Sequence, residues 1–178
     1  MALDLPDEAR AALVEWREQA LEGRRDLRPV AVEALHVTLV FLGYLPEKEI
    51  ERTAAVTFGA LEGVGAPLMA MREVRPVPPR NPRLFAVDLA DEADRVTTIQ
   101  EAAVRALADA RLHSPEKRPF WPHVTVARVK RGERRVPPLD APAPPAEPFR
   151  ARVVTLYRSH LSPRGARYEA LRRLSLGG

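Results

Sequence analysis

Histidine and threonine stand two residues apart twice in this chain, in His36-Val37-Thr38-Leu39 and in His123-Val124-Thr125-Val126. On an extended strand, residues i and i+2 point to the same face. Each segment therefore offers an imidazole beside a hydroxyl on one face and two apolar side chains on the other. Imidazoles titrate near neutral pH, so two of them facing one space can divide the work of proton transfer. One, neutral, accepts a proton while the other, protonated, donates one. The hydroxyls beside them can donate to an oxygen that gains negative charge, which suits a phosphoryl group. Arg128, five residues after His123, would add a charge-assisted contact to such a group. On a regular strand that spacing points Arg128 to the wrong face, so a bulge or the strand end must turn it inward.

The duplication extends beyond the two segments. Ala2-Leu3-Asp4-Leu5-Pro6-Asp7-Glu8-Ala9 aligns with Ala86-Val87-Asp88-Leu89-Ala90-Asp91-Glu92-Ala93, with six of the eight positions identical. The offset is 84 residues there and 87 at the His-x-Thr segments, so one half carries three extra residues. Two copies, near 2–43 and 86–130, point to a pseudo-twofold pair of lobes within one domain over 1–178.

The elements that must position these residues are legible from pattern. Leu35 to Phe41 and Val124 to Val129 are β-branched and apolar runs, as strands are. Asp4-Leu5-Pro6-Asp7-Glu8 reads as a helix start, continued by Leu13, Trp16, Ala20 and Leu21 and closed by Gly23. Arg24 to Pro29 reads as a basic loop. Pro46 opens a second helix through Ile50, Ala54, Phe58 and Leu61. Pro67 to Val74 is strand-like, and Arg83 to Leu89 reads as a strand. Asp91 to Leu112 is a long helix with Val96, Ile99, Ala103, Leu107 and Ala110 along one side. Arg131 to Pro148, rich in proline, is expected to be an extended, mobile excursion. Phe149 to Leu161 and Arg167 to Leu174 read as a hairpin about Pro163-Arg164-Gly165. The fold class expected is α+β: a bilobal fold with two antiparallel β-sheets lining a central cleft and helices on the outside.

Composition removes several kinds of chemistry. The chain has no cysteine, which excludes disulfides, thiolate catalysis and cysteine-bound zinc. Threonine stands where a metal ligand would belong in each segment. No Walker-type or Rossmann glycine loop and no nucleophile elbow occurs. No apolar run reaches membrane-spanning length, and the N-terminus lacks the order of a signal peptide. A soluble intracellular protein is the expectation. The net charge of +4 is compatible with a polyanionic partner. His113, in a Ser/Pro loop, reads as solvated, and His160, near a strand end, as structural. Phe120 and Trp121 read as packing beside the second segment. Arg24, Arg25 and Arg28, with Lys130, Arg131, Arg134 and Arg135, read as solvated faces that would hold an RNA backbone if the cleft lay between them.

The paired segments and their flanks resemble the 2H phosphoesterase superfamily. Leu35 to Gly43, Arg118-Pro119-Phe120-Trp121-Pro122 before His123, Ala127-Arg128 after it, and Ser159 to Tyr168 are similar to the bacterial and archaeal RNA 2′,3′-cyclic phosphodiesterases, also called 2′–5′ RNA ligases. That resemblance implies hydrolysis of a terminal RNA 2′,3′-cyclic phosphate to a 2′-phosphomonoester, with no metal and no cofactor. It implies that His123 accepts the proton of water and that His36 donates one to the departing 3′ oxygen. Thr38, Thr125 and Arg128 match phosphate-binding residues. The internal symmetry alone leaves open which histidine is the acid. Ligation of 2′–5′ ends would be the reverse chemistry, with a ribose hydroxyl in place of water. The expected partner is RNA with a 2′,3′-cyclic phosphate end; the chain is expected to be a cytoplasmic monomer without membrane contact.

Two other functions stand beside this one. The chain could act on a small cyclic phosphate, or it could be an RNA-binding module with a vestigial site. Comparing a cyclic mononucleotide with a cyclic-phosphate oligonucleotide separates the first, and any turnover abolished by His36→Ala excludes the second. The repeat raises one more expectation. Ala86 is preceded by Arg83-Leu84-Phe85, but Ala2 only by Met1, so the first strand is expected to be short, either truly or because translation starts further upstream.

Overall fold

The computed structural model of the protein describes residues 1–116, 118–133, 136–162 and 165–177. In chain order its elements are β1 (Ala2–Asp4), α1 (Asp7–Ala20), β2 (Leu27–Pro29), β3 (His36–Thr38), α2 (Ile50–Leu61), β4 (Leu68–Val77), β5 (Leu84–Asp91), α3 (Arg95–Asp109), β6 (His123–Val129), β7 (Phe149–Arg150), β8 (Val153–Ser162) and β9 (Gly165–Ser175), with short 3-10 turns before β3, α2 and α3. Arg134 and Arg135 of the basic cluster, and Pro163 and Arg164 of the hairpin turn, lie outside the described residues.

Apolar burial decides the register at the centre. Val87 of β5 pairs with Val124 of β6, Val124 with Val37 of β3, Val37 with Leu3 of β1, and Leu3 with Val154 of β8. All five side chains are fully buried. They form one row across the sheet, each worth about 1.5–3 kcal/mol of burial. A strand that slipped by one residue would turn its apolar member out to water, so the row holds every strand in place. The helices bring their own apolar stripes to this core: Leu13, Trp16 and Ala20 from α1, Ala54 and Leu61 from α2, and Val96, Ile99, Ala103 and Leu107 from α3.

The architecture is α+β, with helices flanking an antiparallel sheet. The expected two sheets are one: the strands follow the order β7-β4-β5-β6-β3-β1-β8-β9, and β2 adds to β6. The joint is the β3–β6 pair itself, whose backbones hydrogen-bond and so fuse the halves. About that joint the two copies correspond. Ala2 and Asp4 face Thr38 and His36 across β1–β3, just as Ala86 and Asp88 face Thr125 and His123 across β5–β6.

Three local expectations need correction. The basic loop contains β2, which pairs with the far half of β6 from Leu27↔Val129 to Pro29↔Ala127; three residues ending in proline carry too little alternation to read as a strand. The long helix begins at Arg95, because Ala93 and Asp94 adopt positive φ. The proline-rich stretch is strapped to the first helix. The Trp16 indole N–H donates to the Pro142 carbonyl at 2.8 Å, and the Arg24 guanidinium donates to the carbonyls of Pro137 and Pro138 at 3.0 and 3.1 Å. Proline-rich backbone has few N–H groups but keeps all its carbonyls, so side-chain donors must fasten it.

The start of α3 shows how a strand end stabilises the next helix. Asp91, the last residue of β5, accepts hydrogen bonds from the backbone N–H groups of Val96 and Thr97 at 2.8 and 3.0 Å. Those donors have no partner inside the helix. Replacing Asp91 with alanine is expected to lower unfolding free energy by about 1 kcal/mol, measured as a lower urea midpoint with unchanged slope.

Candidate active site

Because the row of valines and Leu3 faces the core, the residues one step to either side face away from it. Continuing the antiparallel register from Val37↔Val124 sets His36 across from Thr125 and Thr38 across from His123. The four side chains occupy the corners of a square, with the histidines on one diagonal and the threonines on the other. Diagonal neighbours on adjacent strands stand roughly 7–8 Å apart, which leaves room for one phosphorus atom and its oxygens between them.

His36, Thr38, His123, Thr125 and Arg128 all line one cavity of about 220 Å³, together with Arg28 and Tyr168. Arg128 reaches it because β6 bulges. Phe85 pairs with Ala127 but its neighbour Ala86 pairs with Thr125, so Val126 is an extra residue on β6. Val126 and Ala127, consecutive, are both fully buried, and the parity change after them turns Arg128 to the histidine face. Arg28 of β2 lies directly across from Arg128. The cavity thus has guanidinium groups at one end and the hydroxyl–imidazole square at its floor.

The two imidazoles differ in their surroundings. His123 has its Nδ1 2.7 Å from the Trp121 carbonyl. A carbonyl can only accept, so Nδ1 carries the proton and a neutral ring leaves its lone pair on Nε2. The Trp121 indole stacks on this imidazole at 4.2 Å between centroids and 17° between planes. The indole is held in turn by Asp88, whose carboxylate accepts its N–H at 2.5 Å and also meets Arg75 at 3.2 Å.

His36 repeats the pattern with different residues. Tyr157 stacks on it at 5.5 Å and 18°, and Tyr168 meets it edge-on at 4.9 Å. Asp4 accepts from the Tyr157 hydroxyl at 2.9 Å and from Thr155 at 2.8 Å. Each histidine therefore lies on an aromatic ring tethered by the aspartate of the neighbouring strand. The Nδ1 of His36 is buried and makes no hydrogen bond among the described residues. Burial, and secondarily the positive charge of the Met1 ammonium, push the His36 pKa down to about 4. It is neutral at pH 7 until a negative charge arrives beside it.

The other candidates fall elsewhere. His160 pairs with Glu169 at 2.9 Å on the exposed hairpin. His113 lines a separate groove that adjoins the cavity at Thr38 and His123. Arg24 is paired with Asp26. Among the described residues, no group of three or more His, Asp or Glu is placed to hold a metal ion, and no helix is long and apolar enough to cross a membrane. Sequence reasoning missed Asp4, Asp88, Tyr157 and Tyr168 as parts of this site, and read Arg28 as a solvated face that would hold RNA if the cleft lay beside it. A signal for the aspartates was present, since both fall at identical positions of the internal repeat. The tyrosines come from β8 and β9, outside the repeat; Tyr168 ends the stretch from Ser159 that carried the family resemblance, and Tyr157 had no signal.

Residues 5–163 match the family model described as the 2′-5′ RNA ligase superfamily. A Thermus thermophilus protein named RNA 2′,3′-cyclic phosphodiesterase is 37% identical over 99% of this chain and 89% of its own length. The Escherichia coli protein of that name is 28% identical over 98% of this chain and 94% of its own. Among solved structures, the Thermus thermophilus protein TT0787 superposes with a TM-score of 0.82 at 29% identity, covering 99% of this chain and 96% of that one.

The depressed His36 pKa has a consequence for stability. Between its unfolded value near 6.5 and its folded value of about 4, the unfolded chain binds more protons than the native one. Stability is therefore present above pH 6.5 and lost as pH falls toward 4, by on the order of 3 kcal/mol from this group. Urea unfolding from pH 7 to 4 is expected to show that loss, and His36→Gln to flatten it. By NMR, the His36 ring is expected to stay neutral at pH 5 in the free protein and to titrate at least one unit higher with a nucleoside 2′-phosphate bound.

Proposed function

The chain belongs to the 2′-5′ RNA ligase superfamily, a branch of the 2H phosphoesterases, and from that premise and the geometry of the cleft we infer that it is an RNA 2′,3′-cyclic phosphodiesterase. The observation that carries the reading is the square of two histidines and two threonines, in which one histidine has its tautomer locked.

In the proposed mechanism the cyclic phosphate sits above the square. Thr38 and Thr125 donate to its non-bridging oxygens, and Arg128 balances their charge, with Arg28 adjacent. His123 is the proton acceptor: its Nδ1–H is committed to the Trp121 carbonyl, so Nε2 is available to take the proton of a water that attacks phosphorus. The stacked indole holds the ring in that orientation. His36 is the proton donor. Its low pKa in the free protein means that it becomes charged only as the anionic phosphate enters, so acid and substrate arrive together. When the bond from phosphorus to the 3′ oxygen breaks, His36 gives its proton to that oxygen, leaving a 2′-phosphomonoester and a 3′-hydroxyl. The departure of the 3′ rather than the 2′ oxygen rests on the family reading.

No metal or cofactor has a role in this scheme, since both proton transfers and the charge stabilisation are supplied by side chains. One chain completes the cleft, so the proposed working unit is a monomer, acting in the cytoplasm where RNA ends are made.

His36→Ala and His123→Ala are each expected to lower turnover of a cyclic-phosphate oligonucleotide by at least ~10²-fold while remaining folded. Thr38→Ala or Thr125→Ala should cost less, because the other hydroxyl and the arginine remain. The rate should be unchanged by EDTA and bell-shaped in pH. A complete loss in EDTA that a divalent ion restores, or near-normal turnover by both folded histidine variants, would remove the mechanism.

A further inference from the structure

One cyclic phosphate does not use all the positive charge of the cavity. It is a diester with a single negative charge, which Arg128 and the protonated His36 already meet. Arg28 is a further cation in the same cavity, and no aspartate or glutamate lines it among the described residues. Of the described members of the basic cluster, Arg28 is the one that lines this cavity. Arg24 is held by Asp26, and the Lys130 ammonium donates to the Arg25 carbonyl at 2.7 Å. A cavity with two guanidinium groups and no carboxylate among its described lining residues calls for more than one anion.

The position of Arg28 indicates where the second anion sits. From Thr125 to Arg128, β6 runs three residues, about 10 Å along a strand, and Arg28 stands directly across from Arg128 on β2. Its guanidinium lies over Gly165, where an added Cβ would stand 3.8 Å from the Arg28 Cζ. Gly165 opens β9, the strand whose Tyr168 meets His36 edge-on. The head of Arg28 thus sits beside the strand that flanks His36. In ribose, the 5′ carbon is joined through C4′ to C3′. The phosphate linking the terminal nucleotide to the one before it therefore leaves from the 3′ edge of the sugar, the edge that the proposed reaction places by His36.

We propose that Arg28 forms a second phosphate subsite, which holds the phosphate on the 5′ side of the terminal nucleotide. The proposal rests on the phosphodiesterase reading and on His36 as the proton donor. The planar fork of an arginine can give two parallel N–H donors to the non-bridging oxygens of one phosphate. Arg128 serves the cyclic phosphate and Arg28 the phosphate before it. Arg28 is then a specificity determinant, which makes a strand end rather than a free cyclic mononucleotide the preferred substrate. The pairing of β2 with β6, which sets the two arginines side by side, spaces the two subsites.

The test separates the phosphate from the base that comes with it. kcat/KM is measured on adenosine 2′,3′-cyclic phosphate, on the same nucleotide carrying a 5′-phosphate, and on a dinucleotide ending in a 2′,3′-cyclic phosphate. The wild-type chain is expected to favour the second and third probes over the first. Arg28→Ala should lower that preference by about ten- to hundred-fold, the fold-change for one charge-assisted hydrogen bond. Arg28→Gln, which keeps the packing on Gly165, should lower it likewise, and Arg28→Lys should retain part of it. A preference unchanged in folded Arg28→Ala or Arg28→Gln overturns the proposal, even if all three rates fall together, because Arg28 would then serve the cyclic phosphate itself. So does a wild type that favours the dinucleotide but not the 5′-phosphorylated mononucleotide, because a base would then be what is recognised. Equal turnover of the three probes by the wild type overturns the proposal and leaves the phosphodiesterase reading standing. No turnover of any probe overturns that reading, and the proposal with it.

Discussion

The cleft depends on the burial of one cross-strand row, Val87, Val124, Val37, Leu3 and Val154. These side chains contain no catalytic atom, yet they fix the register of five strands at once. With Val37 opposite Val124, alternation delivers the histidine of each copy next to the threonine of the other. The square of two histidines and two threonines is the reverse face of a hydrophobic contact. Its precision comes from the cost of exposing a buried valine.

On that symmetric frame, the differences between the histidines come from their neighbours. The segment before β6 supplies a carbonyl to His123 Nδ1; nothing comparable meets His36 among the described residues. His36 is largely enclosed, and its pKa falls accordingly. The repeat gives the two imidazoles an equivalence in sequence that the folded surroundings do not keep. Here it is broken in the elements that approach each imidazole, while the His-x-Thr segments stay alike.

A second layer holds the imidazoles without touching the cavity floor. Asp4 and Asp88 tether Tyr157 and Trp121, and the rings lie flat on the histidines. A carboxylate bonded directly to an imidazole would fix its charge state strongly; a ring placed between them transmits orientation and a weaker electrostatic bias. Outside the sheet, the proline-rich stretch is fastened by Trp16 and Arg24, and the Arg24 guanidinium also lies 5.8 Å from the Phe85 ring centroid. The strap thus closes over the same strand, β5, that presents Asp88.

The amino-acid sequence by itself determined the chemistry and most of the elements. Period-two and helical spacings are local properties, so the strands around His36 and His123 and the apolar stripe of α3 were readable before folding was considered. The repeat singled out both histidines and both threonines, and the spacing to Arg128 already required a bulge or a strand end to turn it inward; Val126 makes the bulge. Tertiary structure alone decided how these parts combine. The joining of the expected two sheets depends on backbone pairing between segments 87 residues apart, which no local pattern encodes. The pairing of β2 with β6, the stacking of Tyr157 and Tyr168 on His36, and the low pKa that burial gives that ring likewise arise from residues distant in the chain. Composition lists the groups that can titrate or donate; only their packing sets which of them meet, and how far each is removed from water.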